Sequence, residues 1–312
     1  MQVSFIIPLY NCLALTRAML ESLQATLPRN LSHEIILVDD GSTDGTREWL
    51  AILQAPFRVI LNERNLGYAG ANNRGATKAQ GEILYFLNND LVLSKGWFQP
   101  MYNKVRRNFR TGLVGNVQLH ATTGEMDHCG VDFSTKGKPI HLTKYSLWSR
   151  LTGYRRTLAL TGACFCITRK LWTQLGSFDS SYINGCEDID LCLRALDTGY
   201  KNYVSLRSVV GHHVSQSPGR KLRDEQNTRR LVRRWRKEIT PRATHHYARE
   251  WCKDFIVRHW DQSYVFDDAL ARHALACFLG LSRTAPPPVL PIVNEVIDKE
   301  FAHWDRLLGP ES

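Results

Sequence analysis

The 312-residue chain reads as an α/β protein: a doubly wound, mainly parallel sheet followed by a helical C-terminal extension. Three observations carry that reading. Short apolar runs alternate with helical patterns through residue 90, as in successive strand–helix–strand units. Ile83 to Leu87 is a continuous apolar run without polar alternation, which suits a strand buried on both faces of a parallel sheet. After Ser217-Pro218-Gly219 the composition shifts, and residues 220–237 hold nine Arg or Lys.

Taken in order, Val3 to Pro8 predicts a buried first strand and Leu9-Tyr10-Asn11 a turn. Leu13, Leu20, Leu23 and Leu27 share one face of a helix. Glu34 to Val38 is a second strand, ending in Asp39-Asp40-Gly41-Ser42, where Ser42 or Thr43 can cap a helix through Leu53. Phe57 to Leu61 predicts a third strand, Asn65-Leu66-Gly67 a turn, Ala69 to Lys78 a helix and residues 82–87 the fourth strand. Trp97 to Arg110 is an amphipathic helix and Gly112 to Leu119 a strand. Residues 120–157 form a long polar excursion. Leu158 to Thr168 is a strand, Arg169 to Leu175 and Glu187 to Leu196 are helices, and Tyr203 to Val210 is a last strand reaching Gly211-His212-His213. The boundary near 219 separates a first domain, 1–219, from an extension, 220–312.

The composition, 43% hydrophobic and 22% charged, is that of a soluble globular protein, and no apolar run reaches the ~18–20 residues that span a bilayer. Met1 leads straight into a strand without a basic leader, so the expected location is the cytoplasm, with peripheral contact at the inner face of the membrane. The eight cysteines include no C-x-x-C pair, which speaks against a zinc ribbon or a redox motif; they are expected as reduced thiols, Cys164 and Cys166 in packing. The net charge of +10 fits nucleic acid, an anionic membrane or phosphorylated substrates. The acidic cluster at 39–44 would repel a nucleic-acid backbone, so no nucleic-acid partner is expected.

Ligands of open α/β sheets gather at the carboxyl ends of strands, and four such stretches stand out. Tyr10 can stack on a planar base or simply plug the sheet edge. A carboxylate at Asp39-Asp40 can accept the N3–H of uracil or thymine, or serve the turn and the helix cap. The small residues around Asn65 and Gly67 allow close backbone approach to a ligand, as would any glycine turn. Asn88-Asn89-Asp90 offers oxygen ligands to a hard cation of the kind that travels with phosphates, or merely terminates a strand. Further on, Glu187-Asp188 either completes a helix N-terminus or supplies a base for a hydroxyl nucleophile. His212 follows a strand, where a histidine can join a distant Asp around Mn²⁺ or Mg²⁺.

The ordered set IIPLYN, VDDGSTDGT, NLGYAGANNRG, GEILYFLNND, GACFCITRKLWTQLGSFD, GCEDIDLCLRALDTGY and VVGHHVSQS resembles the family-2 inverting glycosyltransferases with the GT-A fold. The flavour is that of the rhamnosyltransferase-like branch of bacterial O-antigen and capsule synthesis, and the resemblance covers residues 2–217. It implies a nucleotide-sugar half, about 1–90, and an acceptor half, about 91–219. Pro8, Tyr10 and Asp40 would form a pyrimidine pocket closed by backbone at Asn65 and Gly67. Asn88-Asn89-Asp90 matches the family's D-x-D motif with Asn88 in place of its first acid. Asp90 would bind Mn²⁺ or Mg²⁺ with His212, or alternatively His213. Asp188 would be the general base, and Gly162, Glu187 and Trp97 would border the acceptor or donor sugar.

The implied donor is a UDP- or dTDP-sugar, and the implied acceptor a saccharide, lipid-linked or protein hydroxyl. The missing Gly-rich loop after the first strand speaks against a nucleotidyltransferase or a dinucleotide dehydrogenase. An inactive nucleotide- or carbohydrate-binding module is the alternative from another class, with Asn88 as a sign of decay; Asp90, Asp188 and His212 together speak against it. The resemblance does not extend over 220–312. There the basic tract 220–237, with its Leu231 and Trp235 stripe, could meet an anionic membrane, pack on the first domain or pair two copies.

Overall fold

The structure, a computed structural model, describes residues 1–107, 109–213, 220–258, 272, 275–276, 279, 281 and 289–309. The chain forms two compact units, one of Met1–Val131 with His141–Arg223 and the other of Asp132–Ile140 with Asp224–Ser312.

The first unit begins with β1 (Val3–Leu9), α1 (Leu13–Thr26), β2 (His33–Asp39), α2 (Thr46–Ala51), β3 (Phe57–Leu61), α3 (Gly67–Lys78) and β4 (Ile83–Leu87). These elements follow the alternation read from the sequence. α1 buries Thr16, Met19, Leu20 and Leu23, the i, i+3, i+4, i+7 face of a helix, and stops before Pro28, whose ring disfavours helical backbone in the preceding residue. Next come β5 (Leu91–Leu93), α4 (Phe98–Arg107) and β6 (Thr111–His120). The predicted polar excursion is not structureless. It contains β7 (Met126–His128), β8 (Val131–Phe133), β9 (Pro139–His141), α5 (Leu147–Thr152) and β10 (Tyr154–Thr157), strands too short to show a periodicity of their own. β11 (Cys164–Thr168), α6 (Arg169–Leu175), α7 (Glu187–Asp197) and β12 (Lys201–His212) complete the unit. The strand expected from Leu158 starts only at Cys164, and the stretch before it is a loop at the site.

The sheet runs β10-β12-β6-β11-β4-β1-β2-β3, with β5 on β12 and β7 on β6. β1 pairs in parallel with β2 and β4, β2 with β3, and β12 with β6. β11 runs antiparallel to both β4 and β6. The carboxyl ends of β1, β2, β4, β6 and β12 therefore share one edge, and the residues that lead into β11 return to it. One face of the sheet buries Phe5, Ile7, Leu37, Tyr85, Leu87, Trp97 and Phe98 in a common core, each large apolar side chain contributing roughly 1.5–3 kcal/mol. Cys164 and Cys166 lie in it as fully buried thiols, as their shared strand face predicts, and burial pushes the Cys164 thiol up to about 12.

The second unit gathers the Asp132–Ile140 hairpin with α8 (Arg220–Arg234), α9 (Arg236–Arg258) and α10 (Val289–Leu308). Its interior holds Leu231, Val232, Trp235, Ile239, Val293, Ile297 and Trp304. Lys138 bonds Glu225 at 2.8 Å and Glu300 at 2.7 Å, and the Trp304 indole donates to Glu225. Of the readings left open for 220–237, the burial of its apolar stripe favours packing against other helices. Leu231, Val232 and Trp235 are buried inside the unit, so this stripe is not free to enter a bilayer. No helix among the described residues is long and apolar enough to cross a membrane. Residues 214–217 of the last quoted motif, and most of the proline-interrupted stretch at 285–291, lie outside the described residues.

Candidate active site

At the shared edge, β1 ends in Tyr10, 54% exposed, and a turn in which Asn11 and Cys12 take positive φ. Pro8 is half-buried in register with Val38. The two acids after β2 divide their work. Asp39 is sealed in, accepting the N–H groups of Gly41 and Ser42 and pairing with Arg47 at 2.7 Å; it shapes the turn, while α2 begins behind Gly45 without a side-chain cap. Asp40 accepts Asn62 and the Leu66 N–H on Oδ1, and the Gly67 N–H at 2.9 Å on Oδ2. Asp40 thus ties the Asn65–Gly67 loop to the sheet edge beside Tyr10, and Oδ2 keeps a lone pair for a further donor. Gly67 has φ +74° and a Cβ there would stand 3.1 Å from Asn184 Oδ1, which accepts the Tyr68 N–H at 2.7 Å. The start of α3 is held by a residue more than a hundred positions away.

Asp90 is 7% exposed. β5 pairs with β12 so that Leu91 faces His212, and this register brings Asp90 Oδ1 within 3.3 Å of His212 Nε2. Buried Asp90 Oδ1, Asn88 Oδ1 and His212 Nδ1 have no hydrogen-bond partner among the described residues. Buried polar atoms are rarely left so, and an acceptor beside a ring nitrogen without a bond between them is a pair suited to one cation. The donor set is oxygen plus imidazole, which suits a divalent cation. Among the described residues no third His, Cys, Asp or Glu completes a metal cluster, as expected where phosphate oxygens and water supply the remaining ligands. His213, the alternate, gives its backbone N–H to the Asp90 carbonyl at 3.0 Å.

Asp188 opens α7 after a loop in which Asn184 and Cys186 carry positive φ, a strained approach of the kind found at functional sites. Its Oδ2 accepts the Gly162 N–H at 2.5 Å and its Oδ1 the Ile189 N–H at 2.8 Å. Burial raises its carboxyl above the ordinary value, while those two N–H groups and nearby His141 pull it back down. Next to Gly162, the Ala163 carbonyl accepts the Asn88 N–H at 2.8 Å. The loop before β11 thus joins Asp188 to the end of β4, where Asp90 stands.

Two side chains that sequence reasoning missed fix this loop. The Tyr68 hydroxyl donates to the Gly162 carbonyl at 2.6 Å, and a Cβ at Gly162 would meet that oxygen at 2.8 Å, so only glycine fits. His128 is fully buried and its Nε2 accepts the N–H groups of Gly130, at 3.2 Å, and Thr161, at 3.3 Å. Two donors on Nε2 fix the neutral ring with its proton on Nδ1. Burial holds His128 well below the usual histidine range, with His141, Arg155 and His212 acting in the same direction. A histidine two residues into a three-residue strand offers no signal of this in the sequence.

Three expectations need correction. Trp97 is 1% exposed, its ring is tilted or perpendicular to Phe5, Tyr85 and Phe98, and its indole donates to Thr26; it belongs to the core and offers no face to a sugar. Asn89 donates to Thr16 Oγ1 at 2.9 Å, pinning α1 to the sheet rather than reaching for a nucleotide. Glu187 is buried and accepts the Gly185 N–H at 2.7 Å, so it shapes its own loop.

A mainly parallel sheet with a carboxylate–histidine pair at its carboxyl edge, and a second carboxylate bridged to that edge, defines a GT-A protein. The chain belongs to glycosyl transferase family 2, whose model matches residues 4–164. It is 29% identical over 232 residues to the O-antigen biosynthesis protein RfbC of Myxococcus xanthus, covering 69% of this chain and 18% of that protein. It is 30% identical over 254 residues to the uncharacterized protein y4gI of Sinorhizobium fredii, covering 75% of this chain and 27% of that protein. The chain therefore spans less than a third of the length of these relatives. Among solved structures, a crystal structure of GalNAc-T7 with UDP, GalNAc and Mn²⁺ superposes with a TM-score of 0.64 at 20% identity, over 88% of this chain and 55% of that one.

Proposed function

We propose that the chain is an inverting, metal-dependent glycosyltransferase that moves a sugar from a UDP- or dTDP-sugar to a hydroxyl acceptor in bacterial surface polysaccharide or glycoconjugate synthesis. The observation that supports it is the bridge from Asp188 through Gly162 and Ala163 to Asn88, which links a carboxylate to the end of β4. The UDP and Mn²⁺ held by the GalNAc-T7 neighbour and the name of the RfbC relative point the same way.

Asp90 and His212 would hold the divalent cation, which supplies charge neutralisation to a departing diphosphate. Tyr10 stacks the base, and Asp40, by holding the Asn65–Gly67 loop, walls the pyrimidine pocket. Asp188 takes the proton of the acceptor hydroxyl as it attacks the anomeric carbon from the face opposite the leaving group, so configuration inverts in one displacement. Its raised carboxyl makes it a stronger base than an exposed aspartate, and its two N–H donors keep it charged enough to accept. The test is a panel of nucleotide sugars with Mn²⁺ or Mg²⁺, reading nucleoside diphosphate release and the anomeric configuration of the product by NMR. Retained configuration would rule out the single displacement. Nucleotide binding without turnover of any donor would favour the inactive binding module.

A further inference from the structure

A short helix, α5, stands off the edge strand of the first unit. Among the described residues β10 pairs only with β12, and α5 precedes it, capped by Ser146 and buried at no residue. Leu147, Trp148 and Leu151 are 71%, 73% and 66% exposed. Their i, i+1, i+4 spacing places all three on one side of the helix, with Tyr145 just before it. An exposed apolar stripe of this kind marks an interaction surface.

Charge identifies what the stripe meets. α4, α5, β10 and β12 contain lysine and arginine and no aspartate or glutamate. From residue 133 to residue 178 the sequence has no acid at all. Arg150 flanks the stripe, Lys144 and Arg156 are exposed on either side of it, and the Arg207 guanidinium lies against Gly153 at the helix end. A Trp–Leu–Leu stripe rimmed by cations is complementary to an anionic bilayer, where indole settles at the headgroup level and basic side chains meet lipid phosphates. A protein partner would need a matching acidic surface and an apolar groove together; the bilayer offers both everywhere.

We propose that α5 and its basic rim form a docking surface for an anionic lipid bilayer. The surface is independent of the catalytic reading: it needs neither nucleotide nor metal, and its readout is binding. The experiment is flotation of the purified chain with vesicles of phosphatidylcholine containing 30 mol% phosphatidylglycerol, against pure phosphatidylcholine. The chain is expected on the anionic vesicles, at least tenfold enriched over neutral ones, with binding falling steeply as salt rises. The triple variant Leu147→Ser, Trp148→Ser, Leu151→Ser removes no buried contact, keeps its thermal midpoint and loses at least tenfold of the binding. Arg150→Glu with Arg156→Glu keeps the apolar stripe and also loses binding. Equal binding to both vesicle types, no binding to either, or triple-variant binding like the parent's would overturn the proposal. A parent that dimerises in light scattering, with only the dimer lost in the triple variant, would assign the stripe to a second copy instead.

Discussion

Asp90 Oδ1 and His212 Nε2 lie 3.3 Å apart at the ends of neighbouring strands, and the buried carboxylate oxygen makes no hydrogen bond among the described residues. A cation between them would satisfy both. Removing either group is therefore expected to weaken Mn²⁺-dependent UDP binding by about 10–100-fold, the scale of a disturbed metal site. Calorimetry of Asp90→Ala and His212→Ala with UDP, with and without Mn²⁺, checks this. The metal-free baseline should be shared by all three proteins. A His212→Ala protein with parental Mn²⁺ dependence would remove the imidazole from the site.

Asp188→Asn is expected to cut kcat by about 10²–10⁴-fold, the worth of a positioned base, with donor KM unchanged. The pH profile carries the sign. Burial raises the Asp188 carboxyl above its ordinary 3.8, and the base must be ionised to act. Activity is therefore lost as pH falls through that raised value, earlier than for an exposed aspartate. Protonated His141 favours the Asp188 carboxylate, so His141→Gln should move the acid limb of kcat/KM to higher pH. An unmoved limb would mean that His141 does not act on this carboxylate.

Gly162→Ala tests the bridge. Its Cβ would meet the Tyr68 hydroxyl at 2.8 Å and the ring carbon Cζ at 3.1 Å, forcing the loop away from Asp188. The variant should lose most of its kcat while binding UDP normally. Tyr68→Phe keeps the ring contact and so should not rescue it, whereas Tyr68→Ala opens the space and should. Kinetics of the two double variants decide the matter.

The parts of this site that the sequence disclosed are those that end strands. Asp40, Asp90 and His212 each follow an apolar run, and a parallel sheet carries such positions to one edge. Asp188 was legible as an acid at a helix start. Tyr68, His128 and Asn184 were not, because each acts on a loop distant in sequence: Tyr68 on Gly162, His128 on Thr161, Asn184 on Tyr68. No local pattern encodes such pairings. Trp97 misled for the opposite reason. The resemblance alone put it beside the sugar, and only the packing of Phe5 and Tyr85 around it shows a core residue. The stripe at 231–235 stayed open in the sequence, since a basic amphipathic helix reads alike whether its apolar face meets lipid or another helix.

Trp97→Ala should therefore behave as a core mutation. Removing a fully buried indole costs about 3–5 kcal/mol, read as a lower urea midpoint. The folded fraction should retain the parental KM for donor and acceptor. A selective rise in acceptor KM without loss of stability would return Trp97 to the site.

His128→Phe keeps the volume of the ring and removes Nε2, stranding the Gly130 and Thr161 N–H groups. Each buried unsatisfied donor costs about 1–3 kcal/mol, so urea unfolding at pH 8 should show a loss of several kcal/mol; His128→Gln can accept one of the two and should lose less. The pH dependence separates this histidine from the rest. Its folded value lies well below the ordinary 6.5, so between the two values the unfolded chain binds the extra proton and stability rises with pH. The parent therefore holds the full contribution above about pH 6.5 and loses it progressively as pH falls toward the folded value. Both variants lack the group, so their stability curves should be flatter than the parent's over that acidic window. Parallel curves for parent and variants would show that the ring is not held neutral by its surroundings, and that the Thr161–Gly162 loop is positioned without it.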